Sequence, residues 1–118
     1  MIGLYVVSGK LTRENKDICV RLCLPAEKKD IWLALQKAEI ETLDDCELLD
    51  VECEMPEVSQ FLQSLDTVHT DVFKLNYFAR LLSIMDNDEE DIFKECILTK
   101  NFQDIEQASA WIRDNVLE

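Results

Sequence analysis

CELLDVECEMPE, residues 46–57, alternates between two kinds of side chain. Leu49, Val51, Cys53 and Met55 form an apolar row, and Asp50, Glu52 and Glu54 form an acidic one. A period of two predicts a β-strand, in which residues i and i+2 share a face. At a rise of about 3.3 Å per residue, the carboxylates stand roughly 6.6 Å apart along a line. Like charges this close repel, so the row is a costly solvent face. It is also a crude copy of a nucleic-acid backbone. The plainer reading is an amphipathic strand with an acidic outer side.

The flanking residues supply the rest of a sheet. Residues 2–7 (IGLYVV) are β-rich, and residues 8–16 (SGKLTRENK), polar and containing Gly9, read as a hairpin loop. Residues 17–24 (DICVRLCL) alternate again, with Ile18, Val20, Leu22 and Leu24 on one face and Asp17, Cys19, Arg21 and Cys23 on the other. Pro25 stops that strand and suits the first turn of a helix. Residues 26–38 place Ile31, Ala34, Leu35 and Ala38 at helical spacing, and Trp32 and Leu33 widen the stripe. The order β-β-α-β predicts a mainly antiparallel three-stranded sheet with one packed helix.

After Pro56 the period becomes helical. Val58, Phe61, Leu62 and Leu65 mark a short helix, and Thr70 is the expected N-cap of another over 71–85. That second helix is apolar almost all round, which predicts a buried hub. Asn87 is the expected cap of a helix over 88–98, with Ile92, Phe93, Cys96 and Ile97 inward. Asn101 is the expected cap of a helix over 102–116, with Phe102, Ile105, Ala108 or Ser109, and Ile112 inward. The fold class is α+β. A ββαβ subdomain over 1–56 and a bundle of about four short helices over 57–118 are expected to share one core.

The 118 residues, 47% apolar and 31% charged, describe a folded chain rather than a disordered one. No apolar run approaches the roughly 18 residues of a membrane span. The N-terminus lacks the basic region of a secretory signal, so the cytoplasm is the expected location. Five cysteines are an odd number, none is in a CxxC pair, and His69 is the single histidine. Zinc sites want close pairs of such ligands, so no metal or other cofactor is expected. The thiols read as reduced and half-buried. The net charge is −13. Residues 1–40 carry seven basic and five acidic side chains, a net +2, whereas residues 41–118 carry five basic and twenty acidic, a net −15. Such a surface repels nucleic acid and anionic membranes and attracts proteins with basic clefts. Its plainest meaning is solubility.

Little in the chain asks for catalysis. Two glycines, Gly3 and Gly9, do not build a phosphate-cradling loop, and one histidine has no nucleophile at a recognisable spacing. His69 falls between two helices and reads as an exposed loop residue. Asp44, Asp45 and Glu47 lead into the acidic strand. Asp86, Asp88, Glu89, Glu90 and Asp91 form the densest acidic run. Acids in the first turn of a helix are favoured by its dipole, by about 0.3–1 kcal/mol each, which explains some of that run. A calcium loop needs a glycine at its sixth position and a glutamate at its twelfth, and this run has neither.

Four stretches resemble the ArdA antirestriction family. A strand ending in Leu24-Pro25 runs into a helix. Asp50-Val51-Glu52 is followed by Pro56, where the family often has Asp-Tyr-Glu and then a proline. Leu75-Asn76 and Tyr77-Phe78-Ala79 are similar to the family's Glu-Leu-Asn followed by Leu-Ala, with Lys74 in place of the acid. The helix after Asn101-Phe102 is similar to a later acidic and apolar segment. These stretches lie in family order over roughly residues 17–115 and leave out the family's C-terminal domain, which contributes to its dimer.

The resemblance implies a DNA mimic, in the cytoplasm of a bacterial host, that occupies the DNA groove of a type I restriction-modification enzyme by steric and electrostatic exclusion. The residues expected to imitate phosphates are Asp44, Asp45, Glu47, Asp50, Glu52, Glu54 and Glu57, with Asp86, Asp88, Glu89, Glu90 and Asp91. No catalysis, cofactor, membrane contact or direct nucleic-acid binding is implied. The alternatives are an anti-CRISPR inhibitor, whose effector target also has a basic channel, and a neutral interaction module whose acidity serves solubility.

Overall fold

The strand Ile2–Ser8 (β1) is apolar on both sides, and it takes the centre of the sheet, where both faces are covered. A computed structural model describes residues 1–14 and 18–116 of the chain. The elements run β1, a short helix Gly9–Arg13 (α1), Val20–Leu24 (β2), Lys28–Lys37 (α2), Cys46–Cys53 (β3), then Pro56–Ser64 (α3), Val72–Ile84 (α4), Asn87–Thr99 (α5) and Ile105–Asn115 (α6). The sheet order is β2-β1-β3, and both pairings are antiparallel. The α+β class and the four-helix second half are thus as the sequence predicts. Residues 15–17, which include Lys16 of the expected loop and Asp17 of the expected second strand, lie outside the described residues. No helix among the described residues is long and apolar enough to cross a membrane.

Ile2, Leu4 and Val6 face a core that runs without a break from the sheet to Ile112 of α6. In the helical half, Phe61, Phe78, Phe93, Phe102 and Trp111 form one aromatic cluster, with neighbouring ring centroids 6.1–6.5 Å apart. Tilted and edge-on rings at this spacing add about 0.5–1.5 kcal/mol per pair to their burial.

A buried amide joins the halves. Asn76, buried in the middle of α4, accepts a hydrogen bond from Ala26 N–H at 2.8 Å and donates one to Ala26 C=O at 3.0 Å. Its carboxamide pairs with a peptide group as a neighbouring strand would. Arg80, one turn along, donates to the same carbonyl at 3.2 Å.

Several local expectations are corrected. β3 does not keep its alternation. Tyr5 pairs with Leu49 and Gly3 with Glu52, so one extra residue stands in β3 between them. The bulge lies at Asp50, whose φ of 52° is left-handed. It lets Leu48 and Val51 both face the core, a spacing of three that a regular strand forbids. Aspartate tolerates that conformation better than most residues. Leu49, expected inward, is therefore exposed. The expected loop after β1 folds as α1 with Ser8 as its cap. Pro25 follows a cis peptide bond and stands outside α2, which starts at Lys28.

The caps fall on aspartates. Asp71, not Thr70, caps α4 by accepting from Phe73 N–H, while Thr70 donates to Asp66 C=O. Asp86, not Asn87, caps α5, and Asp104, not Asn101, caps α6. α4 is not buried all round: Tyr77 and Ile84 are exposed.

Removing the Asn76 carboxamide leaves the Ala26 N–H without its acceptor and α4 without its bonds to that peptide. Asn76→Ala is expected to cost about 2 kcal/mol in denaturant-induced unfolding. Arg80→Ala, which keeps both Asn76 bonds, is expected to cost less than about 1 kcal/mol.

Candidate functional site

The twelve acids singled out by sequence do not share one environment. Asp45 is a structural residue. Its carboxylate accepts from the Ser8 hydroxyl and from Lys10 N–H at 2.8 Å, and Ser8 in turn accepts from Leu11 N–H at 3.2 Å. This relay ties α1 to the turn Leu43–Asp45 that precedes β3. The hydrogen bond from Ser8 holds the Asp45 carboxyl below its ordinary 3.8. Glu47 is half-buried. It lies over Gly9, where a Cβ would stand 2.8 Å from its Oε2, and 3.9 Å from His69 Nε2. His69 is an exposed loop residue, as expected.

The expected row Asp50, Glu52, Glu54 is not a row. Asp50 sits on the bulge, Glu52 pairs with Arg21 at 3.9 Å, and Glu54, past the end of β3, lies 3.9 Å from the N-terminal ammonium. Arg21 also lies over the Tyr5 ring at 5.2 Å and above Gly3, where a Cβ would collide with its guanidinium. Asp50, Glu52 and Asp66 line an open cleft of about 630 Å³ with Arg21, Tyr5 and Gln63. No histidine or cysteine lines it. Glu57 is half-buried in the first turn of α3, and its Oε2 has no hydrogen-bond partner.

The run 86–91 divides by role. Asp86 accepts from Glu89 N–H at 2.8 Å, and Glu89 Oε1 accepts from Asp86 N–H at 2.9 Å. This is a reciprocal capping box. Glu90 is half-buried, while Asp88 and Asp91 project into solvent. Glu95, which the sequence reading did not single out, shares their side of α5. Its signal is its spacing, seven residues after Asp88 and four after Asp91.

Among the described residues, Asp44, Asp50, Asp88, Asp91 and Glu95 have no cationic partner within 4 Å. Nor do any three His, Cys, Asp or Glu side chains among them converge as a metal site requires. Asp44 and Asp50 stand on separate elements, whereas Asp88, Asp91 and Glu95 share one side of α5.

The thiols also divide. Cys46 and Cys96 are buried, and burial pushes both above the ordinary thiol range, Cys46 to about 11. Cys53 is half-buried, whereas Cys19 and Cys23 are exposed, so the expectation of half-buried thiols holds for Cys53 alone.

Two measurements follow. With a thiol reagent at pH 8, Cys19 and Cys23 are expected to react first, and Cys46 and Cys96 only on unfolding, since thiolate and access are both needed. Comparable rates for all five in the native protein would contradict this burial. For Asp45, a lowered native pKa gives stability that is fully present above its unfolded value near 3.9 and is lost as pH falls through the native one. Asp45→Asn is therefore expected to be less stable than wild type at pH 7, with the difference closing below about pH 4. Equal gaps at pH 7 and pH 3, from chemical unfolding, would contradict that linkage.

Comparison with known proteins finds no match to the chain among protein-family models, curated proteins or solved structures.

Proposed function

We propose that this protein is an acidic inhibitor that occupies the nucleic-acid groove of a basic defence enzyme. The observation that carries the reading is the set of exposed carboxylates without a cationic partner, held on rigid elements: Asp44 before β3, Asp50 at its bulge, and Asp88, Asp91 and Glu95 along one side of α5. Convergent acids chelate a cation, whereas separated ones address separated cations. Glu52 and Glu54 join them, because exposed ion pairs contribute only about 0–1 kcal/mol and exchange readily for a partner's lysines and arginines.

The scale is suitable. The long axis of 45 Å matches about 13 base pairs at 3.4 Å per pair. Bound in a Lys/Arg-lined groove, the protein excludes DNA sterically and electrostatically, and no bond is made or broken. The resemblance to ArdA makes a type I restriction-modification complex the first target to assay, and the basic channel of a CRISPR effector the second.

The test is competition. A purified type I methyltransferase complex is mixed with labelled duplex DNA and this protein at 50 and 200 mM salt. Displacement that weakens about tenfold or more at the higher salt is the expected result, since the contacts are charge pairs near water. Reversing Asp88, Asp91 and Glu95 to lysine with Glu52 and Glu54 is expected to abolish displacement while leaving the Asp86–Glu89 capping box intact. Unchanged displacement by that variant overturns the mimicry. Absence of displacement at both salts removes this target.

A further inference from the structure

α4 and α6 pack side by side and leave a cleft of about 500 Å³ between them. Helical spacing sets its walls. Phe73, Lys74 and Tyr77 fall within an arc of about 100° on α4. Glu106, Ser109, Ala110 and Arg113 fall within a similar arc on α6. Each set is one stripe of its helix, so rigid elements and not loops shape the cleft.

A polar bridge marks each end. Lys74 Nζ meets Glu106 Oε1 at 2.7 Å across the two helices. Arg113 stands seven residues after Glu106, about 10 Å along α6. The Tyr77 hydroxyl, more than Asp114, holds the pKa of its guanidinium above the ordinary value. Asp114 meets Arg113 through Nε at 3.4 Å, which occupies one of the five N–H groups of the fork. Glu106, the acid that lines the cleft, is thus engaged by Lys74, and donors are left over at the Arg113 end.

Ser109 lies between the ends, three residues after Glu106 and four before Arg113. It is 5% exposed and lines the cleft. Among the described residues its hydroxyl makes no hydrogen bond. A serine or threonine within a helix can donate to a carbonyl three or four residues back. Ser64, Ser83 and Thr99 do so here, and Ser109 does not. Nor is its oxygen sealed in, as Glu57 Oε2 is; it opens on the cleft. Buried polar groups are almost always paired. This one is positioned to pair with whatever enters, as donor or acceptor.

We propose that the cleft binds a small aromatic carboxylate, with its ring against Phe73 and Tyr77, its acid on Arg113, and a hydroxyl or N–H of the ring on Ser109. A guanidinium fork matches a carboxylate through two parallel N–H bonds. Aromatic walls favour a flat apolar body, and the volume is that of ordinary small-molecule sites. An amine in the same place would meet Arg113 with like charge. The inference is independent of the inhibitory reading, and its test involves no target enzyme.

The isotopically labelled full chain is titrated to millimolar probe and followed by NMR. The probes are indole-3-acetate, 4-hydroxyphenylacetate, phenylacetate and phenethylamine. The acids are expected to bind saturably, to shift the signals of Phe73, Tyr77, Ser109 and Arg113, and to bind tenfold or more tighter than the amine. 4-Hydroxyphenylacetate is expected to bind threefold or more tighter than phenylacetate. Ser109→Ala is expected to erase that difference between the two acids, and Arg113→Gln the preference for acids over the amine. Should either variant misfold, Ala110→Leu, which fills the cleft, is expected to abolish binding of all three acids. No saturable binding by any acid overturns the proposal. So do an amine that binds equally well, shifts that miss these four residues, and a Ser109→Ala chain that still prefers the hydroxylated ring.

Discussion

The two hydrogen bonds between the Asn76 carboxamide and the Ala26 peptide set how the helical half meets the sheet. Hydrophobic burial is non-directional, so an apolar helix such as α4 has many ways to lie against an apolar face. A buried carboxamide with one peptide partner has essentially one. Sliding or rotating α4 strands that amide and the Ala26 N–H, at about 1–3 kcal/mol for each group left dry and unpaired. The contact of Trp32 with Phe73 and the packing of α6 on α4 both inherit this register.

The excess of negative charge is accommodated locally. Acids occupy helix starts, where Asp71, Asp86 and Asp104 accept from otherwise unpaired N–H groups. Glu57, Asp88 and Glu106 stand in first turns, where the helix dipole favours them. Asp45 replaces a missing backbone partner at α1. What remains unneutralised is exposed, so that solvent and salt limit the mutual repulsion. The surface available for recognition is therefore the residue left after the fold has used its own acids.

The sheet, its antiparallel order and the four later helices were legible because periods of two and of 3.6 are written over whole segments. Lys28 to Ala38 and Val58 to Leu65 show their inward faces directly. Positions decided by one hydrogen bond were less legible. Thr70 and Asp71 are both good caps by composition, and only the chain path shows that Thr70 turns to Asp66. Asp86 carried a usable signal in the Asp-x-x-Glu spacing to Glu89, which marks a capping box. The acidic row failed for a different reason. Alternation placed Leu49 inward and left Leu48 no place, whereas burial of both Leu48 and Val51 required an inserted residue. Of the acids read as one array, Asp45, Asp86 and Glu89 proved to serve the fold, and that division is invisible in a count of charges.

The bulge at Asp50 has a consequence for how this molecule meets copies of itself. A flat outer strand invites another chain to extend the sheet through its free N–H and C=O groups. β3 offers no such template. Its frame changes phase at Asp50, and the Leu48 N–H is already bonded to Val68 C=O at 3.0 Å. A strand arriving along this border would find its ladder out of step after two or three residues. At this border, therefore, crowding does not lead to the runaway strand addition that ends in fibres.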